Sequence, residues 1–273
     1  MEVNGIGMIG VGNMASAIAK AMVKAVPGDS LYLANRTAAK ITPLVEALQA
    51  KQVAMASVGE ELLQHCNLVF IGVKPKDIQA LFASLSPHLM TEHSITWVSM
   101  ASNVSLAELS ALTPDHHQWI RIMPNTPVEV GEGFTSYCYE DGKVQSATIE
   151  RFKQIMSASG TVSEIPESLF DAASGMAGCS PAFIYQLIEA MSDAGVAYGL
   201  GRAQSIQMAA QAVKGAAAMV LETDQHPAQL KDAVTSPGGT TIAGVNTLEA
   251  EGFRSAIIKG ISASIEKTRE LQQ

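Results

Sequence analysis

The chain has 273 residues, 47% hydrophobic and 16% charged, so it is long enough to bury a sizeable core in one large domain or two ordinary ones. Its formal net charge of -8 and the lack of a basic tract argue against nucleic-acid binding, which requires clustered Lys and Arg. Three widely spaced cysteines without a C-x-x-C pattern favour a reducing cytosol over a disulfide framework or a zinc site.

Apolar runs alternate with helical patterns in the first half of the chain. Strands are predicted at 5–10, 31–34, 68–73, 95–99 and 120–123, with helices at 14–26 and 38–50. This alternation indicates a parallel, doubly wound sheet covered by helices on both faces. From residue 169 onward only helices are predicted, at 181–198, 202–223, 228–235, 241–251 and 254–271. The expected class is therefore α/β, with an all-helical C-terminal domain and a boundary near residue 165.

A glycine-rich turn follows the first predicted strand. Gly10, Gly12 and Ala15 form the pattern G-x-G-x-x-A between a strand and a helix, which is the context of a Rossmann-type dinucleotide site. Gly10 permits the tight turn, Gly12 lets the pyrophosphate approach the backbone, and the helix start supplies free amides. The alternative is a glycine-rich turn without a ligand.

The residues at the end of the second strand bear on the choice of cofactor. An NAD site usually has an acid there, which binds the ribose 2′-hydroxyl. This chain has Asn35-Arg36-Thr37 instead, so no carboxylate repels a 2′-phosphate, and Arg36 is suited to pair with it. We therefore expect NADPH, with NADH as a weaker alternative. The alternative is that Arg36 is an ordinary solvated loop residue.

Two further loops follow strands and are expected to border the same crevice. Val73-Lys74-Pro75 follows the strand at 68–73, and Met100-Ala101 follows the strand at 95–99. The alternative is that Pro75 merely starts a helix and that Lys74 faces water.

Ser236-Pro237-Gly238-Gly239-Thr240-Thr241 is a turn that leads into a helix. Its first-turn amides are unpaired donors, and the two hydroxyls add to a compact anion site suited to a carboxylate. The alternative is an ordinary helix with Thr as its N-cap. Neither Cys179 nor the six histidines suggest a nucleophile or a metal site, because no Cys–His pairing or metal-ligand spacing is present.

Together these motifs resemble the pyrroline-5-carboxylate reductase family over almost the whole chain. The resemblance rests on IGVGNMA (9–15), VKP (73–75), MPNTP (123–127), GCSPAF (178–183) and above all DAVTSPGGTTIAGV (232–245). It implies reduction of (S)-1-pyrroline-5-carboxylate to L-proline by NAD(P)H, the last step of proline biosynthesis. The cytoplasmic location is expected from the cysteines.

The resemblance also implies an organisation and a set of site residues. Residues 1–165 would form the NADP-binding Rossmann domain, and residues 166–273 the helical domain for substrate binding and dimerisation, with higher oligomers such as decamers. Thr241 would lie near the ring nitrogen as the catalytic residue. The expected cofactor ligands are Ile9, Gly10, Gly12, Asn13, Met14, Asn35, Arg36, Val73, Lys74, Pro75, Met100 and Ala101, and the expected substrate ligands are Met123, Asn125, Glu167, Gly239, Thr240 and Thr241.

The chain departs from the family at a few positions. Met100-Ala101-Ser102-Asn103 lacks a glycine that the family often has, although Asn tolerates a positive φ. Cys179 replaces Ser or Gly, and Asp224 stands where some members have Glu. Two alternatives remain: a β-hydroxyacid dehydrogenase, whose lysine pattern Lys214 does not match, and a non-catalytic nucleotide-sensing regulator on the same scaffold.

Overall fold

A computed structural model of the chain describes residues 4–90 and 93–271. By their internal contacts, these residues form two compact units. The first contains the chain up to Gly178 together with the stretch that begins at Ile265, and the second contains residues 179–264. The functional boundary expected between residues 165 and 166 stays a prediction.

The first unit contains one eight-stranded sheet. Its strands are β1 (Gly5–Ile9), β2 (Leu31–Ala34), β3 (Lys51–Val53), β4 (Cys66–Ile71), β5 (Thr96–Ser99), β6 (Gln118–Pro124), β7 (Gly133–Tyr139) and β8 (Gly160–Glu164). They lie side by side in the order β3-β2-β1-β4-β5-β6-β7-β8. The strand order reverses at β1 and β4, and ligands of such sheets bind at this switch point.

The sheet is mainly but not wholly parallel. Every neighbouring pair from β3 to β6 is parallel, β6 and β7 run antiparallel, and β7 and β8 are parallel to each other. The expected α/β class with a doubly wound sheet is thus confirmed. The antiparallel strand β7 is an addition that was not predicted from the sequence. Only the short stretch 125–132 joins β6 to β7, which is too short for a helical crossover and returns the chain in the opposite direction.

α-Helices and short 3-10 or π-helical turns make up the rest of the regular structure. The α-helices are α1 (Asn13–Met22), α2 (Thr42–Leu48), α3 (Leu63–His65), α4 (Pro75–Leu85), α5 (Leu106–Ser110), α6 (Ser146–Met156), α7 (Phe170–Ala173), α8 (Ser180–Ala197), α9 (Arg202–Thr223), α10 (Pro227–Ala233), α11 (Thr240–Ala250) and α12 (Phe253–Glu270). Among the described residues, no helix is both long and apolar enough to cross a membrane.

Alternate side chains of the central strands enter two separate cores. In β4, Leu68 and Phe70 pack on one face of the sheet with side chains of α1 and α6. Val69 and Ile71 pack on the other face with side chains of α4 and α5. Because successive side chains of a strand point to opposite faces, an apolar run such as LVFI is what a strand covered on both faces requires.

The second unit is helical and has almost no core of its own. Of residues 179–264, only Ser192, Ser205 and Ala209 are buried. Many large apolar side chains of this unit are exposed instead, among them Ile184, Tyr185, Met191, Tyr198, Leu200, Ile206, Met208, Met219, Leu221, Val234, Leu248, Phe253, Ile257 and Ile258. Exposed apolar surface of this extent indicates a protein-binding face.

His117 is a buried, neutral link within the first unit. Its Nδ1 accepts a hydrogen bond from the Ile95 amide at 3.1 Å, so Nε2 carries the proton that it donates to the Leu89 carbonyl at 2.8 Å. Burial lowers the pKa of His117 below its usual value, and the main-chain bond to Leu89 only partly opposes this effect.

We predict that the free energy of unfolding falls when the pH is lowered from about 7.5 to about 5.5. The unfolded chain protonates His117 near its usual pKa of about 6.5, whereas the folded state keeps the ring neutral. The stabilisation is therefore present above that pKa and is lost as pH falls through the lower folded-state value. Urea unfolding of the wild type and His117→Asn at both pH values measures this effect.

The neighbouring His116 serves as the control because its side chain is exposed and its charge lowers the pKa of His117 less than burial does. His116→Asn should keep most of the wild-type dependence on pH, and His117→Asn should weaken it. An unchanged dependence in His117→Asn would contradict the assignment.

Candidate functional site

The turn between β1 and α1 contains two glycines, and the structural reason for glycine differs between them. Gly10 has a φ of +86°, and a Cβ there would lie 2.7 Å from the Val73 nitrogen, so the fold itself requires glycine. At Gly12 a Cβ would meet no atom within 4 Å. The space beside Gly12 is open, as expected where a ligand approaches the backbone.

The start of α1 presents unpaired amides beside this space. Its N-cap is Gly12, which has no side chain to cap the helix, and no acidic residue lies in the first turn. Ser16 is the first residue whose amide bonds back into the helix, at 2.8 Å from the Gly12 carbonyl. The preceding amides and the positive end of the helix dipole suit a pyrophosphate.

A cleft of about 640 Å³ extends from this turn along the carboxyl ends of β1, β2 and β4. Four cationic side chains and one carboxylate, Asp77, line it, although the whole chain has a net charge of -8. The cations are Arg36, Lys40, Lys74 and Lys76. Because the cleft combines unpaired amides with a surplus of positive charge, its donor set fits a dinucleotide with a 2′-phosphate.

The cleft brings together half of the expected cofactor ligands, namely Gly10, Gly12, Asn35, Arg36, Val73 and Lys74. Arg36 and Lys74 are exposed, while the Asn35 amide donates to the Thr37 carbonyl at 3.1 Å and braces the loop. Pro75 is the first residue of α4, in line with the alternative that it starts a helix.

The other expected ligands flank the cleft without lining it. The side chains of Ile9 and Ala101 are buried, Met14 and Met100 pack against the core around α1, and Asn13 is the exposed first residue of that helix. For Ile9 and Ala101, only main-chain contact with a cofactor is available. These assignments stay predictions.

The loop after β5 is held at the same end of the sheet. The Met100 amide donates to the Ile71 carbonyl of β4 at 3.1 Å, and the Ala101 amide donates to Ser99 Oγ at 3.3 Å. Asn103 has a φ of +60°, which confirms that Asn supports the turn in place of glycine.

Sequence reasoning missed several cleft residues. Lys40 follows Arg36 by four residues in the same loop, and Lys76 and Asp77 begin α4 after the VKP motif, so their spacing from known motifs was the available signal. The remaining missed residues are Val11, Thr37, Met55, Gly72, Ala80, Leu81 and Ser84.

Glu167 uses one carboxylate oxygen within the first unit. Its Oε1 accepts hydrogen bonds from the Leu106 amide at 2.7 Å and from Arg121 at 3.0 Å. Arg121 is only 5% exposed, and its guanidinium lies over the Phe170 ring at 4.6 Å. A substrate-binding role for Glu167 therefore falls to Oε2, for which no hydrogen bond from a described residue is found, and it stays a prediction.

Met123 and Asn125 lie at the carboxyl end of β6 and just beyond it. The Asn125 side chain accepts from the Phe134 amide at 2.8 Å and donates to the Ala177 carbonyl at 3.0 Å. Ala177 belongs to a π-helical turn, Ser174–Gly178. Both ends of the amide are thus engaged in the fold, while Met123 is half-buried beside the core around α4.

In the second unit, α11 begins at Thr240 without a side-chain cap. Its N-cap is Gly239, so the alternative of an ordinary Thr-capped helix is wrong. Gly238 has a φ of +67°, and the Gly239 amide donates to the Ser236 carbonyl at 3.0 Å, which closes the turn. Thr240 and Thr241 are exposed within the single chain. The free first-turn amides and two hydroxyls suit a carboxylate.

The three cysteines are free thiols. Burial raises the pKa of Cys66 and raises that of Cys138 to about 12, so neither is a thiolate at neutral pH. Cys179 is half-buried and directly precedes α8. Among the described residues, no three His, Cys, Asp or Glu side chains form a group that could hold a metal ion.

We predict that alanine affects the two glycines of the turn differently. Gly12→Ala should leave the thermal midpoint of unfolding within about 2 °C but weaken dinucleotide binding about tenfold or more, because the methyl group occupies ligand space. Gly10→Ala should lower the free energy of unfolding by about 1 kcal/mol or more, because of its positive φ and the Val73 contact.

Thermal unfolding and nucleotide titration of both variants test this contrast. A Gly12→Ala protein that binds nucleotide as tightly as the wild type would show that the open space is not a ligand path.

Comparison with known proteins identifies both parts of the chain. Residues 167–271 match the family model "Pyrroline-5-carboxylate reductase dimerisation", and residues 5–101 match "NADP oxidoreductase coenzyme F420-dependent". The first match supports homo-oligomerisation.

Curated and solved relatives agree with these matches. A pyrroline-5-carboxylate reductase of Synechocystis sp. is 38% identical, over 97% of this chain and 97% of its own. Two solved structures cover 100% of this chain and 100% of their own: the Plasmodium falciparum pyrroline carboxylate reductase with NADP bound, at 30% identity and a TM-score of 0.85, and the Coxiella burnetii pyrroline-5-carboxylate reductase, at 28% identity and a TM-score of 0.89. The chain belongs to the pyrroline-5-carboxylate reductase family.

Proposed function

We propose that this chain reduces (S)-1-pyrroline-5-carboxylate to L-proline, the last step of proline biosynthesis, with NADPH as hydride donor and NADH as a weaker alternative. The uncapped start of α11 carries the proposal, because it supplies free amides and two hydroxyls for a small carboxylate. The basic cleft beside Gly12 supports NADPH as the cofactor, and so does the NADP bound to the Plasmodium relative.

Reduction of the imine adds a hydride to the carbon of the C=N bond and leaves a proton on its nitrogen. The residues that line the cleft beside Gly12 would hold NADPH, which would supply the hydride when bound. A protonated imine brings its own proton, so the chain needs no strong acid. We assign Thr241 the role of orienting the ring nitrogen, and the amides of Thr240 and Thr241 that of holding the carboxylate.

The remaining substrate contacts are proposed from the family resemblance. Gly239 lies beside the carboxylate site, Met123 and Asn125 lie between nicotinamide and substrate, and Glu167 contributes Oε2. Asn125 would act through its position, since both ends of its side-chain amide already have partners.

The organisation of the protein is part of the proposal. We assign residues 1–165 to cofactor binding and residues 166–273 to substrate binding and dimerisation, which agrees with a dimerisation match that begins at residue 167. The exposed apolar side chains of residues 179–264 favour a homodimer through this region, with higher oligomers such as a decamer possible on the same scaffold. The free thiols of all three cysteines favour a cytoplasmic location.

We predict that the purified protein consumes NADPH and forms proline when pyrroline-5-carboxylate is added. The loss of absorbance of the reduced cofactor and the appearance of proline measure the reaction. Nucleotide binding without turnover would instead support a nucleotide-sensing regulator, and oxidation of a hydroxy acid would support a dehydrogenase.

We predict that Thr241→Ala lowers kcat/KM about tenfold or more, equivalent to about 1.4 kcal/mol, because the hydroxyl that orients the ring nitrogen is lost. Thr241→Ser is the matched control, since it keeps the hydroxyl and the helix amides, and it should stay within about threefold of the wild type. Unchanged steady-state kinetics of Thr241→Ala would remove this residue from the mechanism.

A further inference from the structure

The loop after β2 carries two cations that both line the nucleotide cleft. Arg36 is the second residue after the strand, and Lys40 ends the short 3-10 turn Ala38–Lys40 that follows it. The Lys40 amide donates to the Thr37 carbonyl at 3.1 Å, so this turn brings Lys40 back beside the residue that follows Arg36.

Neither cation is engaged by another side chain in the described part of the molecule. Within residues 4–90 and 93–271, neither Arg36 nor Lys40 forms an ion pair with a carboxylate or a side-chain hydrogen bond. Both side chains are exposed. Two exposed cations without partners, which share a cleft wall in an acidic protein, indicate a site for a multiply charged anion.

The loop that carries them is held in place by neighbouring side chains. Gln52 of β3 donates to the Ala38 carbonyl at 3.3 Å. The single proton of Thr42 Oγ1 is shared between Gln52 Oε1, at 3.2 Å, and that carbonyl, at 3.4 Å. Such bracing lowers the entropy that is lost when a ligand orders the loop. The loop backbone that carries Lys40 is therefore already held in place before a ligand binds.

The 2′-phosphate of NADPH carries more charge than one arginine neutralises. A phosphate monoester has a charge between about -1.5 and -2 at neutral pH. Arg36 compensates about one unit through its planar donors, and a second cation is needed for the rest. Lysine suits this task because its ammonium group acts as a point charge on a flexible stem.

We infer that Lys40 binds the 2′-phosphate together with Arg36 and that it sets the preference of this protein for NADPH over NADH. The inference rests on the cofactor part of the proposed function. Lys40 is a specificity-determining residue and takes no part in hydride transfer. Lys74 and Lys76 have a different place, since they lie at the end of β4 and the start of α4, across from the loop after β2.

Titration calorimetry of the intact protein with adenosine 2′,5′-bisphosphate and 5′-AMP tests this assignment, because the two probes differ only in the 2′-phosphate. The wild type should bind the bisphosphate more tightly. Lys40→Met should reduce the ratio of the two affinities about fivefold, the effect of one exposed ion pair of about 1 kcal/mol, and leave the affinity for 5′-AMP unchanged. Arg36→Ala should reduce the same ratio.

Lys76→Met is the matched control, because Lys76 is an exposed lysine of the same cleft. It should change the affinities for both probes by the same factor and so preserve their ratio. If Lys40→Met leaves the ratio within twofold of the wild type, or if Lys76→Met lowers it equally, the inference is overturned. A wild type that does not distinguish the two probes would overturn the NADPH assignment itself.

Steady-state kinetics gives a second measurement. Lys40→Met should raise the KM for NADPH about fivefold while the kcat at saturating NADPH and the KM for NADH stay unchanged. A fall in kcat with an unchanged KM for NADPH would contradict a role in binding the 2′-phosphate.

Discussion

The close approach of two backbone segments at the switch point governs the geometry of the first unit. The Gly72 amide, just beyond β4, donates to the Ile9 carbonyl at the end of β1 at 2.8 Å. A Cβ on Gly72 would overlap the Gly10 carbonyl and lie 3.1 Å from the Cβ of Ala15 and from the Cε of Met100. Small residues at all three positions of the G-x-G-x-x-A turn and at Gly72 therefore let β1, α1 and β4 converge, and the nucleotide cleft opens at this convergence.

The local sequence predicted those strands that are buried on both faces of the sheet. β1, β2 and β4 to β6 are covered on both faces, so their apolar runs are recognisable without neighbours. β3, β7 and β8 were missed for different reasons. β3 has three residues, two of them exposed, β7 buries the hydroxyls of Thr135 and Ser136, and β8 is a half-exposed edge strand without apolar alternation. Their pairing with neighbouring strands, which lies outside the local pattern, makes them strands.

In the candidate site, too, local features could be predicted from the sequence and contacts between distant residues could not. Residues that act through the backbone were visible in the motifs. Gly10, Gly238 and Asn103 have a positive φ, which few residue types adopt, and Gly12 leaves open space for a ligand. Contacts across long stretches of sequence were not visible: Glu167 meets the Leu106 amide 61 residues away, and Asn125 meets Ala177 52 residues away. The cleft is likewise lined by cationic side chains from separate loops, which come together only in the folded chain. Lys40 and Lys76 were therefore not predicted from the sequence.

The near absence of buried residues in 179–264 bears on the stability of the free subunit. A helical region that buries only two serines and one alanine gains little from the hydrophobic effect. In the proposed homodimer a second copy would cover this region, so folding and association would form one equilibrium and the melting temperature would depend on protein concentration. A newly synthesised chain would then expose these apolar side chains until it meets a partner. A higher concentration of the chain would favour assembly by mass action and would shorten that exposure.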